Sequence, residues 1–169
     1  MNWPGMDQYD ILIVGAGIAG ASLAAMLAPH ASILILEAES QPGYHATGRS
    51  AAFWTKSYGG PKLAPLTAAS AGFLASPPPE YGDHPFMTER GALHIGRADE
   101  GPLVRAMLDE FADSDVDLQV MDRAGIASLV PHVRPEWQVG LWEPDCCDID
   151  VAALHQACLR VARQNGAVI

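Results

Sequence analysis

The hydrophobic positions near the N-terminus predict a strand, a helix and a second strand in close succession. Residues 11–15 begin as an apolar, β-branched run, which suits a strand buried on both faces. Residues 18–28 are rich in alanine and have good helix propensity, and Pro29 and His30 end this segment. Residues 33–36 form another apolar run, which Glu37 closes.

Three glycines, Gly15, Gly17 and Gly20, follow the first strand in the spacing G-x-G-x-x-G. The first permits a tight turn, the second lets a pyrophosphate approach the backbone, and the third lets the helix pack closely on the sheet. The helix N-terminus then offers free N–H groups to phosphates. Glu37 lies 22 residues after Gly15, where an acid can hold ribose hydroxyls and disfavours the 2′-phosphate of NADP. The segment predicts dinucleotide binding.

A membrane-spanning helix is the alternative for residues 11–28, because these 18 residues carry no charge and contain small-xxx-small spacings. Three glycines within six residues would weaken such a helix, and an equally apolar strand follows without a basic flank. We therefore expect no membrane span.

Charge and composition narrow the classes of function. The formal net charge of -10 argues against nucleic-acid binding, which needs clustered Lys and Arg. The N-terminus has neither a basic region nor the apolar core of a signal peptide. We expect a cytoplasmic protein in which residues 1–8 form a loose leader.

The pattern after Glu37 predicts further helices and strands. We expect a turn over residues 41–44, a short helix from Arg49 or Ser50 that continues through Tyr58, a helix over 61–76 and a loop over 77–90. Strands are expected at 91–97, 118–121, 139–142 and 167–169, and helices at 99–113, from Asp122 to before Pro131, and at 151–164.

Three aspartates and three cysteines raise the question of a metal site. They are Asp145, Asp148 and Asp150, and Cys146, Cys147 and Cys158. Asp150 stands where it would cap the following helix, and nearby acids suit the dipole of that helix. The cysteines have no C-x-x-C spacing, so we expect free, buried or half-buried thiols and no metal.

Beyond the dinucleotide motif, the sequence resembles the FAD-dependent oxidoreductases of the D-amino-acid oxidase type. The resemblance rests on GAGIAGASLAAMLA at residues 15–28, on Glu37, and on QPGYHATGRSAA at residues 41–52. The T-G-R-S-A-A segment is the specific part, because plain NAD dehydrogenases lack it. The chain is most similar to bacterial D-amino-acid dehydrogenases of the D-arginine type, through LTAAS at 66–70, His84–Pro85, and DID…ALHQ within 148–156.

The resemblance implies an α/β fold, with a Rossmann-like FAD-binding domain and the beginning of an α+β substrate domain. The N-terminal part of the FAD-binding domain would be residues 1–84, the start of the substrate domain 85–147, and an incomplete return segment 148–169. Members of the family continue well beyond this length and hold their substrate-carboxylate clamp there, so we expect a truncated, N-terminal part of a longer enzyme.

The resemblance also assigns residues to cofactor and substrate. Those expected to bind FAD are Gly15, Gly17, Ile18, Ala19 and Gly20 at the pyrophosphate, Glu37 and Ala38 at the ribose, and Thr47, Gly48, Arg49, Ser50, Ala51 and Ala52 along the ribityl chain and flavin. Those expected on the substrate side are Phe53, Thr55 and Tyr58. The alternative for Arg49 is a solvated surface charge, and for Phe53 and Trp54 it is core packing. D-arginine-type relatives carry a His in place of Phe53 and an acid in place of Ala92, so an apolar substrate is favoured over a basic one.

The implied activity is oxidation of the Cα–N bond of a small amino acid, above all a D-amino acid, by hydride transfer to FAD. Such chemistry needs no strong base, so no catalytic residue is assigned, and the electron acceptor stays open. Two alternatives remain. One is an FAD-dependent oxidase or dehydrogenase of a 2-hydroxy acid or glycerol phosphate, and the other is an inactive, truncated nucleotide-binding or assembly module.

Overall fold

A computed structural model describes residues 8–169, which form two compact units. Unit 1 comprises residues 8–52, Ser76–Phe86 and Asp150–Ile169, and unit 2 comprises Phe53–Ala75 and Met87–Ile149. The predicted leader lies outside the described residues, except for Gln8. The domain bounds expected at residues 84 and 147 stay a prediction.

The chain contains eight strands and six α-helices over the described residues. The strands are β1 (Ile11–Val14), β2 (Ile33–Leu36), β3 (Phe53–Trp54), β4 (Met87–Glu89), β5 (Ala92–Gly96), β6 (Gln119–Asp122), β7 (Val139–Glu143) and β8 (Cys147–Ile149). The helices are α1 (Ile18–Leu27), α2 (Ala46–Arg49), α3 (Ala64–Ala75), α4 (Gly101–Glu110), α5 (Arg123–Leu129) and α6 (Val151–Gln164).

Unit 1 is built on the predicted strand–helix–strand segment. Strands β1 and β2 pair in parallel with Ile11 opposite Ile33, and α1 connects them, so this prediction is confirmed. The reading of residues 11–28 as one membrane helix is wrong, because they divide between β1 and α1. No helix within residues 8–169 is long and apolar enough to cross a bilayer. The predicted strand at 167–169 is reduced to a single parallel bridge between Val168 and Leu34.

The core of unit 1 is formed where α1 packs on α6. Helix α1 contributes the small buried residues Ala21, Ala24 and Ala25, which allow the two helix backbones to approach. Helix α6 presents its buried face, which includes Leu159 and Val161. An acid at the start of α6 fulfils its predicted role, since the Asp150 side chain accepts the Ala153 N–H at 2.9 Å.

Unit 2 consists of two three-stranded antiparallel sheets with short helices beside them. Their strand orders are β3-β8-β4 and β5-β7-β6. Leu141 on the central strand β7 and Ile126 on α5 are both buried in its core. The predicted cap of α5 is confirmed, because the Asp122 side chain accepts the Gly125 N–H at 2.8 Å.

The structure corrects the sequence predictions around β3. The helix expected from Arg49 or Ser50 through Tyr58 is wrong, because α2 ends at Arg49 and residues 53–54 form a strand. Aromatic residues favour strands where a partner strand is available, and here β8 supplies it. Strands β4 and β8 were both missed, and the helix expected over 61–76 begins three residues later than predicted, at Ala64.

Candidate functional site

The loop between β1 and α1 has the backbone that the three glycines predict. Gly15 has a φ of +95°, which favours glycine, and a Cβ added there would meet nothing within 4 Å. A Cβ on Gly20 would lie 2.0 Å from the Gly15 carbonyl oxygen, so only glycine lets α1 approach the end of β1 this closely. The loop therefore has open space beside Gly15, and α1 packs tightly against the loop at Gly20.

Three side chains from other elements hold this loop. The Glu37 carboxylate accepts the Ala16 N–H at 2.8 Å, and the Thr47 hydroxyl accepts the Ile18 N–H at 2.9 Å. The His155 Nε2 lies 2.7 Å from the Ala16 carbonyl oxygen. These side chains come from the end of β2, from α2 and from α6. The structure thus brings together two of the predicted residues, Glu37 and Thr47, and adds His155.

The carboxylate of Glu37 is kept charged by backbone donors. It accepts the Glu39 N–H at 3.0 Å as well as the Ala16 N–H, and these two hydrogen bonds hold the pKa of Glu37 below its usual range. An ionised carboxylate has about four acceptor sites, so two backbone bonds leave capacity for further donors such as hydroxyl groups.

The start of α1 retains a donor for a ligand. Among the hydrogen bonds of the described residues, none comes from the Gly17 N–H, and Gly17 is the N-cap residue of α1. An N–H without an acceptor at the positive end of a ten-residue helix suits a phosphate group. The loop and Glu37 together fit the pyrophosphate and ribose of a dinucleotide.

Thr47 alone among the predicted ribityl-side residues contacts the phosphate loop through its side chain. The exposed Arg49 instead donates from Nε to the Tyr44 carbonyl at 3.2 Å, with its guanidinium 4.6 Å from the centre of the Tyr44 ring. The Ser50 hydroxyl donates to the Ala46 carbonyl at 2.8 Å. The expected flavin contacts of residues 47–52 stay a prediction.

The predicted substrate-side residues lie in unit 2 and do not share a helix. Phe53 on β3 is paired with Asp148 on β8, and its side chain is 43% exposed. The guanidinium of Arg90 lies over the Phe53 ring, 4.4 Å from its centre, and Arg90 Nε is 3.5 Å from the Asp148 carboxylate. Tyr58 is 80% exposed. The core-packing alternative does not describe Phe53, which is partly exposed beneath a cation, but it does describe Trp54, which is buried.

Thr55 is engaged by a buried acid that the sequence did not reveal. Its hydroxyl donates to Glu143 at 2.9 Å, and Glu143 is fully buried at the end of β7. The same carboxylate accepts the N–H groups of Lys56 at 2.8 Å and Ser57 at 3.3 Å, and the Ser57 hydroxyl. Glu143 therefore fixes the backbone that leads from Phe53 to Tyr58.

Basic side chains account for two of the three aspartates considered for a metal site. Asp145 lies 3.0 Å from the buried Lys56 ammonium, and Asp148 pairs with Arg90. Over residues 8–169, no three His, Cys, Asp or Glu side chains are grouped so that they could hold a metal ion. The three cysteines are free and buried, as expected, and burial raises the pKa of each thiol.

Solved structures that resemble this fold include oxidases and a dehydrogenase of about twice its length. Glycine oxidase from Geobacillus kaustophilus is similar with a TM-score of 0.82 and 19% identity, over 96% of this chain and 46% of that one. L-α-glycerophosphate oxidase from Mycoplasma pneumoniae, with FAD bound, has a TM-score of 0.82 and 17% identity, over 97% of this chain and 44% of that one. L-proline dehydrogenase from P. horikoshii has a TM-score of 0.81 and 19% identity, over 96% of this chain and 43% of that one.

The chain thus spans less than half the length of each of these structures, and at such identities the likeness shows the fold. The α/β architecture predicted from the sequence is confirmed. A family model described as FAD dependent oxidoreductase matches residues 10–169, which is nearly the whole described chain. The chain therefore belongs to the FAD-dependent oxidoreductases, and its cofactor is FAD.

Proposed function

We propose that this chain supplies the dinucleotide-binding part of an FAD-dependent amino-acid oxidoreductase. The observation that carries the proposal is the loop between β1 and α1, where the Gly17 N–H has no acceptor among the described residues and the charged Glu37 accepts the neighbouring Ala16 N–H. The ADP half of FAD needs these two features, namely donors for phosphate and an acceptor for ribose hydroxyls.

The residues proposed to hold FAD are those that the sequence pattern singled out. The loop residues Gly15, Gly17, Ile18, Ala19 and Gly20 would hold the pyrophosphate, Glu37 and Ala38 the ribose, and Thr47, Gly48, Arg49, Ser50, Ala51 and Ala52 the ribityl chain and flavin. Thr47 supports this arrangement, because its hydroxyl already accepts the first N–H of α1.

The proposed substrate is a small amino acid with an apolar side chain, most of all a D-amino acid. When bound, FAD supplies the acceptor for the hydride that leaves the substrate α-carbon as the Cα–N bond is oxidised. Phe53 and Ala92 offer apolar surface, and the Arg90 guanidinium over the Phe53 ring disfavours a cationic side chain there. The D configuration is supported by the resemblance of residues 66–70 and 148–156 to D-arginine-type dehydrogenases.

A second candidate is the oxidation of glycerol phosphate or a 2-hydroxy acid. It is favoured by the likeness of the fold to L-α-glycerophosphate oxidase, whose TM-score equals that of glycine oxidase. The sequence-based expectations of a cytoplasmic location and of an amino-acid substrate as partner stay predictions.

Flavin uptake tests the proposal directly. The purified chain is mixed with FAD and desalted, and its visible spectrum is recorded; retained flavin bands are the expected result. If the bands are absent, the measurement is repeated on a chain that continues beyond Ile169, and a second colourless sample would refute the FAD assignment. A flavin-loaded extended chain is then screened anaerobically against D-amino acids, L-amino acids, 2-hydroxy acids and glycerol phosphate. Bleaching identifies the substrate class, and no bleaching by any of them would count against oxidation of all four classes.

A further inference from the structure

His155 is a buried polar residue on a helix face that is otherwise apolar. It lies in the second turn of α6 with only 4% of its surface exposed, on the same face as the buried Cys158 and Leu159. Its Nε2 is 2.7 Å from the Ala16 carbonyl oxygen. Because a carbonyl oxygen only accepts hydrogen bonds, Nε2 must carry a hydrogen and donate it. The buried imidazole therefore donates its Nε2 hydrogen bond to one carbonyl of the loop and fixes the orientation of that carbonyl.

The imidazole ring is also packed against the turn at Gly43. Gly43 has a φ of +80°, and a Cβ added there would lie 2.8 Å from His155 Cε1, so the Gly43 turn packs directly on the ring edge. A Cβ on Gly48 of α2 would in turn lie 2.7 Å from the Gly43 carbonyl oxygen. The ring is therefore wedged between the phosphate loop and the turn that precedes α2.

Fixing the Ala16 carbonyl also fixes the next N–H group. In a trans peptide the C=O of one residue and the N–H of the next lie in one plane and point in opposite directions, and the described residues contain no cis peptide. A carbonyl that is directed at His155 therefore turns the Gly17 N–H away from α6. This N–H is the donor that has no acceptor among the described residues.

We propose that His155 is a positioning residue for the FAD pyrophosphate. Its Nε2–H holds the peptide between Ala16 and Gly17 so that the Gly17 N–H is presented to a phosphate oxygen. The Glu37 carboxylate accepts the N–H of Ala16, and the His155 imidazole donates to the carbonyl of Ala16. These two hydrogen bonds together set the orientation of the loop. The proposal rests on the proposed function only in the identity of the ligand.

The first arm of the test measures FAD affinity. His155→Met keeps a side chain of similar length without a donor, and His155→Gln restores an N–H at about the position of Nε2. We expect the Met variant to bind FAD about 10-fold more weakly, as for loss of one hydrogen bond, and the Gln variant to recover most of the affinity. His30→Met, an exposed site in the same unit, is the matched control and should bind as the wild type does. Wild-type affinity in the Met variant, or equal losses in both His155 variants, would overturn the proposal.

The second arm reads the hydrogen bond without FAD. In isotope-labelled chains, the Ala16 carbonyl ¹³C and the Gly17 amide ¹⁵N resonances report on the hydrogen bond to this carbonyl. Both should move in His155→Met and return towards the wild-type positions in His155→Gln, while His30→Met leaves them unchanged. Unmoved resonances in the Met variant would refute the proposal even if FAD affinity fell. If neither the chain nor its extension beyond Ile169 took up FAD, the proposed function would fail, while these resonances would still decide whether His155 orients the loop.

Discussion

Gly20→Ala is the substitution for which the structure gives the sharpest expectation. The new Cβ would lie 2.0 Å from the Gly15 carbonyl oxygen, which is 1.4 Å short of the 3.4 Å at which ordinary contact begins. It would also lie 3.2 Å from Ile13 Cγ2. The carbonyl belongs to a turn that cannot swing away freely, because the Gly15 N–H donates to the Leu36 carbonyl at 2.7 Å. Helix α1 would have to move off β1 instead.

The size of the effect follows from two opposing contributions. Alanine in place of glycine inside a helix stabilises by up to about 1 kcal/mol, because alanine loses less backbone entropy. Overpacking a site that cannot relax costs about 1–3 kcal/mol, and here the clash is with backbone and involves the interface of a whole helix, so the upper end applies. We expect a net loss of about 2 kcal/mol in the free energy of unfolding.

Urea unfolding followed by far-UV circular dichroism measures this loss, and Gly72→Ala provides the matched control. Gly72 also lies within a helix, α3, but a Cβ there would meet nothing within 4 Å, so the same substitution should stabilise by about 0.5–1 kcal/mol. Gly20→Ala should also weaken FAD binding, since α1 carries the phosphate loop. If the free energy of unfolding of Gly20→Ala were within about 0.5 kcal/mol of the wild-type value, the close packing of α1 on β1 would be refuted.

Three further predictions concern unit 2, the thiols and Glu37. Glu143→Gln should lower the free energy of unfolding by about 2–4 kcal/mol, because the new amide nitrogen would face N–H and O–H donors that now share a buried carboxylate. The control is Glu136→Gln, at an exposed ion pair with Arg134, which should change the free energy of unfolding by less than about 0.5 kcal/mol. Equal urea midpoints for the two variants would contradict this prediction. The three buried cysteines should react with a thiol reagent only after unfolding, and a fast-reacting thiol in the native chain would show that one is accessible. Because the folded pKa of Glu37 is lowered, its contribution to stability is fully present above the usual carboxyl pKa and is lost as pH falls through the folded value. Glu37→Gln should remove that part of the pH dependence, and an unaltered acid profile of stability would count against the two backbone bonds.

The start of unit 1 could be predicted from the sequence because its determinants are local. An apolar, β-branched run, an alanine-rich segment and a second apolar run distinguish β1, α1 and β2 within 26 residues, and the glycine spacing specifies the turn after β1. The caps at Asp122 and Asp150 were equally readable, since an N-cap bond joins residues only three positions apart. The acid after β2 was found for the same reason, since its distance from the glycines along the chain is set by one helix and one strand.

The tertiary structure alone decided the elements whose partners are distant along the chain. Phe53 and Trp54 form a strand because they pair with β8, more than 90 residues later, and nothing in their own neighbourhood signals this. The bonds of Glu143 to Thr55 and of His155 to Ala16 join residues 88 and 139 positions apart. Neither Glu143 nor His155 belongs to a local sequence pattern. Each acquires its role only when folding buries its side chain, because a buried polar group must form hydrogen bonds with the protein groups that surround it. Local propensity therefore determined the dinucleotide loop itself, and long-range packing decided which side chains hold that loop in place.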